Sequence, residues 1–173
     1  MPVTVDQYGR LTEEGIIPEN TELIRGVIWE KMGNSPLHTW TVQWLVGRLN
    51  ASLPEGFHVR QEQPLTLQDS EPEPDLAIVL GSVSDYRRAH PQTAELVIEV
   101  AVSAEELDVE KAGIYGEAGI SEYWVIAPKQ NAVTIWSEPS GEGYQRRESV
   151  GVGETLVSRR FPEIEVSVSL LFE

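Results

Sequence analysis

Glu99 interrupts the run Leu96-Val-Ile-Glu-Val-Ala-Val102, which otherwise has the composition of a buried strand. An isolated ionised carboxylate is costly to desolvate, so unless it faces solvent such a residue needs a partner, a proton or a metal. Asp75 heads a second apolar run, Leu76-Ala-Ile-Val-Leu80. Pro74 disfavours helix for Glu73, so that strand begins abruptly at the acid. If the two strands are neighbours in one sheet, their carboxylates can converge at one end. Close carboxylates repel unless a cation neutralises them, and Mg²⁺ takes one or two carboxylates and fills its shell with water and phosphate oxygens.

Lys111 supplies a third group. At ~100° per residue Leu107, Lys111, Ile114, Tyr115 and Ala118 fall in one stripe of a helix, which places an ammonium on the apolar, inward side. There it either snorkels outward to pair with Asp108 or Glu110, or meets an anion. Taken with Asp75 and Glu99 the second arrangement is favoured, because an ammonium near a metal-bound water can orient it or stabilise developing phosphoryl charge. The three residues outline a phosphoryl-transfer site.

These groups need a frame. Residues 4–17 read as a short helix ending near Gly15, and residues 22–31 as a strand or hairpin with Gly26 at the bend. Ser35-Pro36 opens a helix whose Leu37, Trp40, Trp44, Leu45, Leu49 and Leu53 keep helical spacing until Pro54. Trp40 and Trp44 are accordingly assigned to the core, as are Tyr115, Tyr123 and Trp124. Short strands are predicted at 57–61 and 63–67, and the next ones at 75–80 and 95–102, with a single helical turn near Asp85. Ser103 and Glu106 have the spacing of a capping box, with Gly119 as the stop of the following helix. Strands at 122–127 and 132–136, joined by Pro128-Lys-Gln-Asn131, form a hairpin; a ribbon through 143–149 and 155–158 and a closing strand within 164–171 complete the chain. Mixed elements with C-terminal hairpins predict an α/β or α+β domain, a mixed sheet with helices on its faces.

The length of 173 residues suits one domain, 1–173, able to bury roughly 70% of its unfolded surface. With no cysteine there are neither disulfides nor thiolate metal sites. The N-terminal residues lack the pattern of a secretory signal, so a cytoplasmic location is expected. No apolar run approaches the ~20 residues that cross a bilayer, so no membrane span is expected. The net charge of −15 repels polyanions at long range and weighs against broad nonspecific nucleic-acid binding. Any nucleic-acid face is therefore local or supplied by a dimer. The pairs Arg87-Arg88, Arg146-Arg147 and Arg159-Arg160 are read first as solvated charge and second as such a face.

Six ordered motifs carry a resemblance. Glu22-Leu-Ile-Arg-Gly26, Ser35-Pro36-x-His38, Pro72-Glu-Pro-Asp75-Leu-Ala-Ile-Val79, Leu96-Val-Ile-Glu99-Val100, Asp108-x-x-Lys111-x-x-x-Tyr115 and Gly119-Ile-Ser-Glu-Tyr-Trp124 resemble the Uma-type family of restriction endonucleases, within the PD-(D/E)xK nuclease superfamily. The resemblance implies a restriction-endonuclease-like fold and a Mg²⁺-dependent endonuclease, with Mn²⁺ as a substitute metal. It implies that Asp75 and Glu99 bind the metal, that Lys111 is the catalytic lysine, and that DNA is the substrate. The general motif has its lysine two residues after the glutamate, where this chain has Ala101; in this family the lysine is expected from the following helix. Where the family tends to read Ser-Pro-Ser, this chain has Ser103-Ala-Glu-Glu106.

Two residues stay open. Glu22 is either a fourth member of the site, also acidic, or an exposed strand residue or partner for Arg25. His38, roughly opposite the centre of its helix's apolar face, reads first as a surface or capping residue and second as a helper at the site. A homodimer is expected, since cutting both strands of a duplex calls for two sites. The rival to the nuclease is a catalytically silent relative that keeps the fold for binding. A glycosidase using the two carboxylates ranks last, because it leaves Lys111 without a purpose.

Overall fold

The computed structural model describes the backbone of residues 1–101 and 105–172, and their side chains except those of 105–107. The Ser103–Glu106 capping box and the position of Leu107 in its stripe lie outside the described residues. Six strands form one mixed sheet in the order β3 (Phe57–Gln61), β4 (Leu76–Leu80), β5 (Leu96–Val100), β6 (Glu122–Ala127), β7 (Ala132–Ser140) and β8 (Gly143–Gly151). Every neighbouring pair is antiparallel except β5 and β6, which run parallel. A parallel pair needs a long crossover, and α3 (Glu105–Glu117) provides it.

Strand alternation divides the core between the two faces of this sheet. Leu96, Ile98, Val100, Trp124 and Ile126 point to one face, where they pack with Val42, Leu45 and Leu49 of α2 (Pro36–Ser52). The same face is closed by the ribbon of β9 (Thr155–Val157) and β10 (Glu165–Ser167), through Leu156 and Val166. Ala77, Val79, Val97, Tyr123 and Val125 point the other way, against Ala112, Ile114 and Tyr115 of α3. Gly116 permits that docking: a Cβ there would lie 2.3 Å from the carbonyl carbon of Gly143, at the turn between β7 and β8.

The hairpin of β1 (Thr21–Ile24) and β2 (Val27–Glu30) turns on Arg25 and Gly26, both with positive φ, the backbone of a two-residue type I′ loop. It is pinned from both sides. The Tyr8 hydroxyl of α1 (Val5–Glu13) donates to the Thr21 carbonyl at 2.8 Å, and Leu23 and Glu71 exchange backbone hydrogen bonds. Arg25 reaches α3, with Nη2 2.7 Å from Glu117 and Nε 3.2 Å from Glu110.

The sheet, the flanking helices and the C-terminal ribbon accord with the sequence, with four corrections. Residues 63–67 are not a strand: Leu65 and Leu67 are buried, but the backbone N–H groups of 65–67 bond to the carbonyls of Pro72, Pro91 and Ser70 in neighbouring loops. The closing strand is only Glu165–Ser167, after which the chain enters a 3₁₀ turn, Val168–Leu171. The first helix stops at Glu13. Trp40 is not core: it is 45% exposed and stacks on half-buried Trp44 at 6.3 Å between ring centroids.

Candidate active site

β4 and β5 are antiparallel with Leu76 opposite Ile98 and Ala77 opposite Val97, so Asp75 reaches the same end of the sheet as Glu99. Both side chains share the α3 face, because Leu76 and Ile98 pack into the α2 face. Their closeness is direct: the backbone N–H of Val100, the residue after Glu99, donates to Asp75 Oδ2 at 2.7 Å. α3 crosses that end and lowers Lys111 onto the acids. Its Nζ lies 2.8 Å from Glu99 Oε1 and 3.0 Å from Glu22 Oε1. Lys111 is 6% exposed and turns inward onto these acids rather than snorkelling to solvent. Glu22, on β1, is 2% exposed and meets Lys111; Arg25 turns to Glu110 and Glu117 instead.

Neighbouring groups orient the oxygens. Tyr115, one turn after Lys111, donates its hydroxyl to Glu99 Oε1 at 3.2 Å, and the Glu73 N–H donates to Glu22 Oε2 at 3.3 Å. His38 Nε2 donates to Asp75 Oδ1 at 3.0 Å. The surface reading of His38 is therefore corrected: it is buried against Asp75, with its Nδ1 lacking a partner.

Three carboxylates face one ammonium and one imidazole, and the titration behaviour follows. Burial pushes the Glu99 carboxyl up to about 7, with Asp75 and Glu22 adding to the effect and Lys111 opposing it. Burial alone pulls the Lys111 ammonium down, but Glu99 and Glu22 outweigh it and hold the group above its ordinary value. The hydrogen bond to Asp75 raises His38, against the smaller effect of its burial.

This donor set suits a hard divalent cation such as Mg²⁺ or Mn²⁺ bound through one or two carboxylates. The oxygens are anionic and outnumber the positive groups, and Glu99 Oε2 has no hydrogen-bond partner among the described residues. Among the described residues no three His, Asp or Glu side chains already stand as a ready ligand cage. Two carboxylates with water is the arrangement the residues permit.

A mixed sheet that brings an Asp and a Glu from adjacent strands onto a lysine from the crossover helix defines a restriction-endonuclease-like fold. The Uma2 family, described as "Putative restriction endonuclease", matches residues 5–169, and the chain belongs to that family. No curated protein matches it. Among solved structures it is similar to "a putative nuclease belonging to DUF820" from Anabaena variabilis ATCC 29413, with a TM-score of 0.82 at 19% identity, over 99% of this chain and 98% of that one. At that identity the likeness is one of fold. No helix among the described residues is long and apolar enough to cross a membrane.

Proposed function

We propose that the protein is a Mg²⁺-dependent endonuclease that hydrolyses DNA phosphodiester bonds, with Asp75 and Glu99 holding the metal and Lys111 assisting attack. The observation that carries this reading is the convergence of carboxylates at one end of the sheet: Glu22 and Glu99 meet the buried Lys111 ammonium, and Asp75 is held beside Glu99 through the Val100 N–H. Membership of a family described as restriction endonucleases supports it.

A divalent cation at this site supplies charge neutralisation at the scissile phosphate and a water of lowered pKa. The chain's own residues do the rest. Asp75 is held by the Val100 N–H and His38, and Glu99 by Tyr115, so both present fixed oxygens. Lys111, kept charged by Glu22 and Glu99, offers its remaining N–H to the entering phosphate oxygens, where a preorganised cation is most effective away from bulk water. Glu22 touches no reacting atom in this scheme; it positions the ammonium. Cleavage of a duplex would use two copies, and a homodimer is part of the proposal.

The test is cleavage of supercoiled and linear DNA with Mg²⁺ or Mn²⁺. Asp75→Ala, Glu99→Gln and Lys111→Met should each lower the rate by on the order of a hundredfold to a thousandfold. Metal-dependent cleavage that survives all three changes refutes the assignment. One observation favours a second reading, a silent relative that binds without cutting: the acids already close upon Lys111 and, among the described residues, no three-residue cage waits for a metal. Calorimetry separates the two, since a catalytic site takes up Mn²⁺ at millimolar concentration or below with dependence on Glu99, and a silent one does not.

A further inference from the structure

Arg60 is 6% exposed, yet among the described residues no carboxylate lies within ion-pairing distance of it. In a chain with 28 acidic and 13 basic residues this is an unusual state for a guanidinium. Arg25, Arg146, Arg159 and Arg160 all face carboxylates. Arg60 instead has only neutral neighbours. Its Nη2 donates to the Pro64 carbonyl at 3.4 Å and to His90 Nδ1 at 3.2 Å, and its carbon centre lies 5.5 Å from the Tyr86 ring centroid. Nε is buried without a partner among the described residues. Burial pulls the guanidinium below its ordinary value, against a smaller opposing effect of Tyr86.

Desolvating a cation and leaving its donors unfilled is costly, and such a group in a folded protein calls for an explanation. The strand register supplies one. Phe57 and Val59 pack toward α2, so Arg60 projects from the opposite face, the one that carries Asp75 and Glu99. It pairs with Ala77, two residues beyond Asp75, a separation of about 7 Å along the strand. The loop carrying Tyr86 also presents Arg87 and Arg88, both exposed and without an ion pair among the described residues. The result is a local cationic spot on an acidic molecule, on the sheet face that carries the acids of the candidate site.

We infer that Arg60, with Arg87 and Arg88 at its rim, is a subsite for a backbone phosphate of the nucleic-acid substrate flanking the bond to be cut. The inference rests on the nuclease reading and deepens it. An anion seated there supplies the counter-charge that Arg60 lacks and fixes the strand relative to Asp75 and Glu99. The guanidinium keeps its charge and holds its donors in fixed directions, which suits a phosphate oxygen. Tyr86 holds the guanidinium plane, its hydroxyl anchored on the Leu80 carbonyl at 2.7 Å.

The test is binding of labelled oligonucleotides by fluorescence anisotropy in chelator, so that no cleavage intervenes. Arg60→Gln should weaken binding about tenfold and reduce the slope of log affinity against log salt by about one. A single neutral methylphosphonate linkage at the contacted position should weaken the wild type by a similar factor and leave Arg60→Gln unaffected. That scan on the wild type, together with Arg60→Lys, keeps the question answerable if the glutamine variant does not fold. Unchanged affinity and slope, or equal effects of the methylphosphonate at every position, overturn the inference. Stabilisation by inorganic phosphate that requires Arg60, with oligonucleotide affinity unmoved by the substitution, identifies a free-anion site and overturns it too. Arg60-dependent binding without metal-dependent cleavage sinks the nuclease reading alone; cleavage without Arg60-dependent binding sinks this inference alone.

Discussion

Two buried glutamates on adjacent strands, Glu99 on β5 and Glu122 on β6, meet very different surroundings. Glu122 lies on the α2 face beside Trp124, and its carboxylate is completed by neutral donors: Ser158 Oγ at 2.7 Å and the Arg160 N–H at 2.6 Å on Oε1, and Trp124 Nε1 at 3.0 Å on Oε2. Glu99 lies on the α3 face, takes both of its hydrogen bonds on Oε1, and has the carboxylates of Asp75 and Glu22 near it. The first acid is finished by the fold and ties the segment at 158–160 to the sheet. The second has an unused oxygen and surplus negative charge around it. Burial of a carboxylate is therefore not itself a sign of function; incomplete satisfaction of it is.

The sharpest way to break this contrast is to remove the cation from one side. Lys111→Met leaves Glu22 and Glu99 facing each other without counter-charge and should cost about 3–5 kcal/mol by urea unfolding. An unchanged midpoint means that the ammonium does not hold the cluster. On the other face, Glu122→Ala strands three donors and should cost about 3 kcal/mol while leaving Mn²⁺ affinity untouched. A metal-binding defect in that variant ends the distinction between the two acids.

Acidity offers a third handle, on metal-free protein. The folded Glu99 carboxyl, at about 7, sits above its ordinary 4.5. Between those values the folded chain holds a proton that the unfolded chain has released, so this contribution is present at pH 4.5 and below and is lost as pH rises toward 7. Relative to Glu99→Gln, the wild type should lose on the order of 3 kcal/mol across that window; parallel curves refute it. His38, raised by Asp75, adds stability below about pH 6.5 that fades as pH climbs through its folded value. His38→Gln should remove that dependence and cost about 1 kcal/mol at pH 6. The smallest effect belongs to Trp40→Ser, which should stay within about 0.5 kcal/mol by calorimetry because the ring is exposed.

Much of the site could be read from residue types. A carboxylate inside an apolar run and a lysine inside an apolar stripe are both violations of patterning, and both led to residues that meet in space. Glu22 was legible only as a possibility, because nothing local in Glu22-Leu-Ile-Arg25 reveals that the hairpin folds back over α3. His38 departs from its surface reading for a specific reason. Leu37 and Trp40 were counted in the apolar face, but both are exposed, and the buried face runs through Thr41, Val42, Leu45 and Leu49. With those as the reference, His38 falls in line three and four residues before the first two, a signal available in the spacing. The segment 63–67 misled because buried Leu65 and Leu67 alternate as in a strand, while their N–H groups serve loops. The unpaired state of Arg60 had no counterpart in sequence at all, since it depends on which acids are absent around it.

The sheet's sequential order gives its hairpins local connections and reserves one distant splice, the parallel seam between β5 and β6 bridged by α3. Asp75 and Glu99 can be brought side by side by the β4–β5 pairing alone, whereas Lys111 arrives only when the crossover docks, with Gly116 seated on Gly143. The two acids thus depend on a pairing of neighbouring strands, while the amine that meets Glu99 depends on the docking of a separate element.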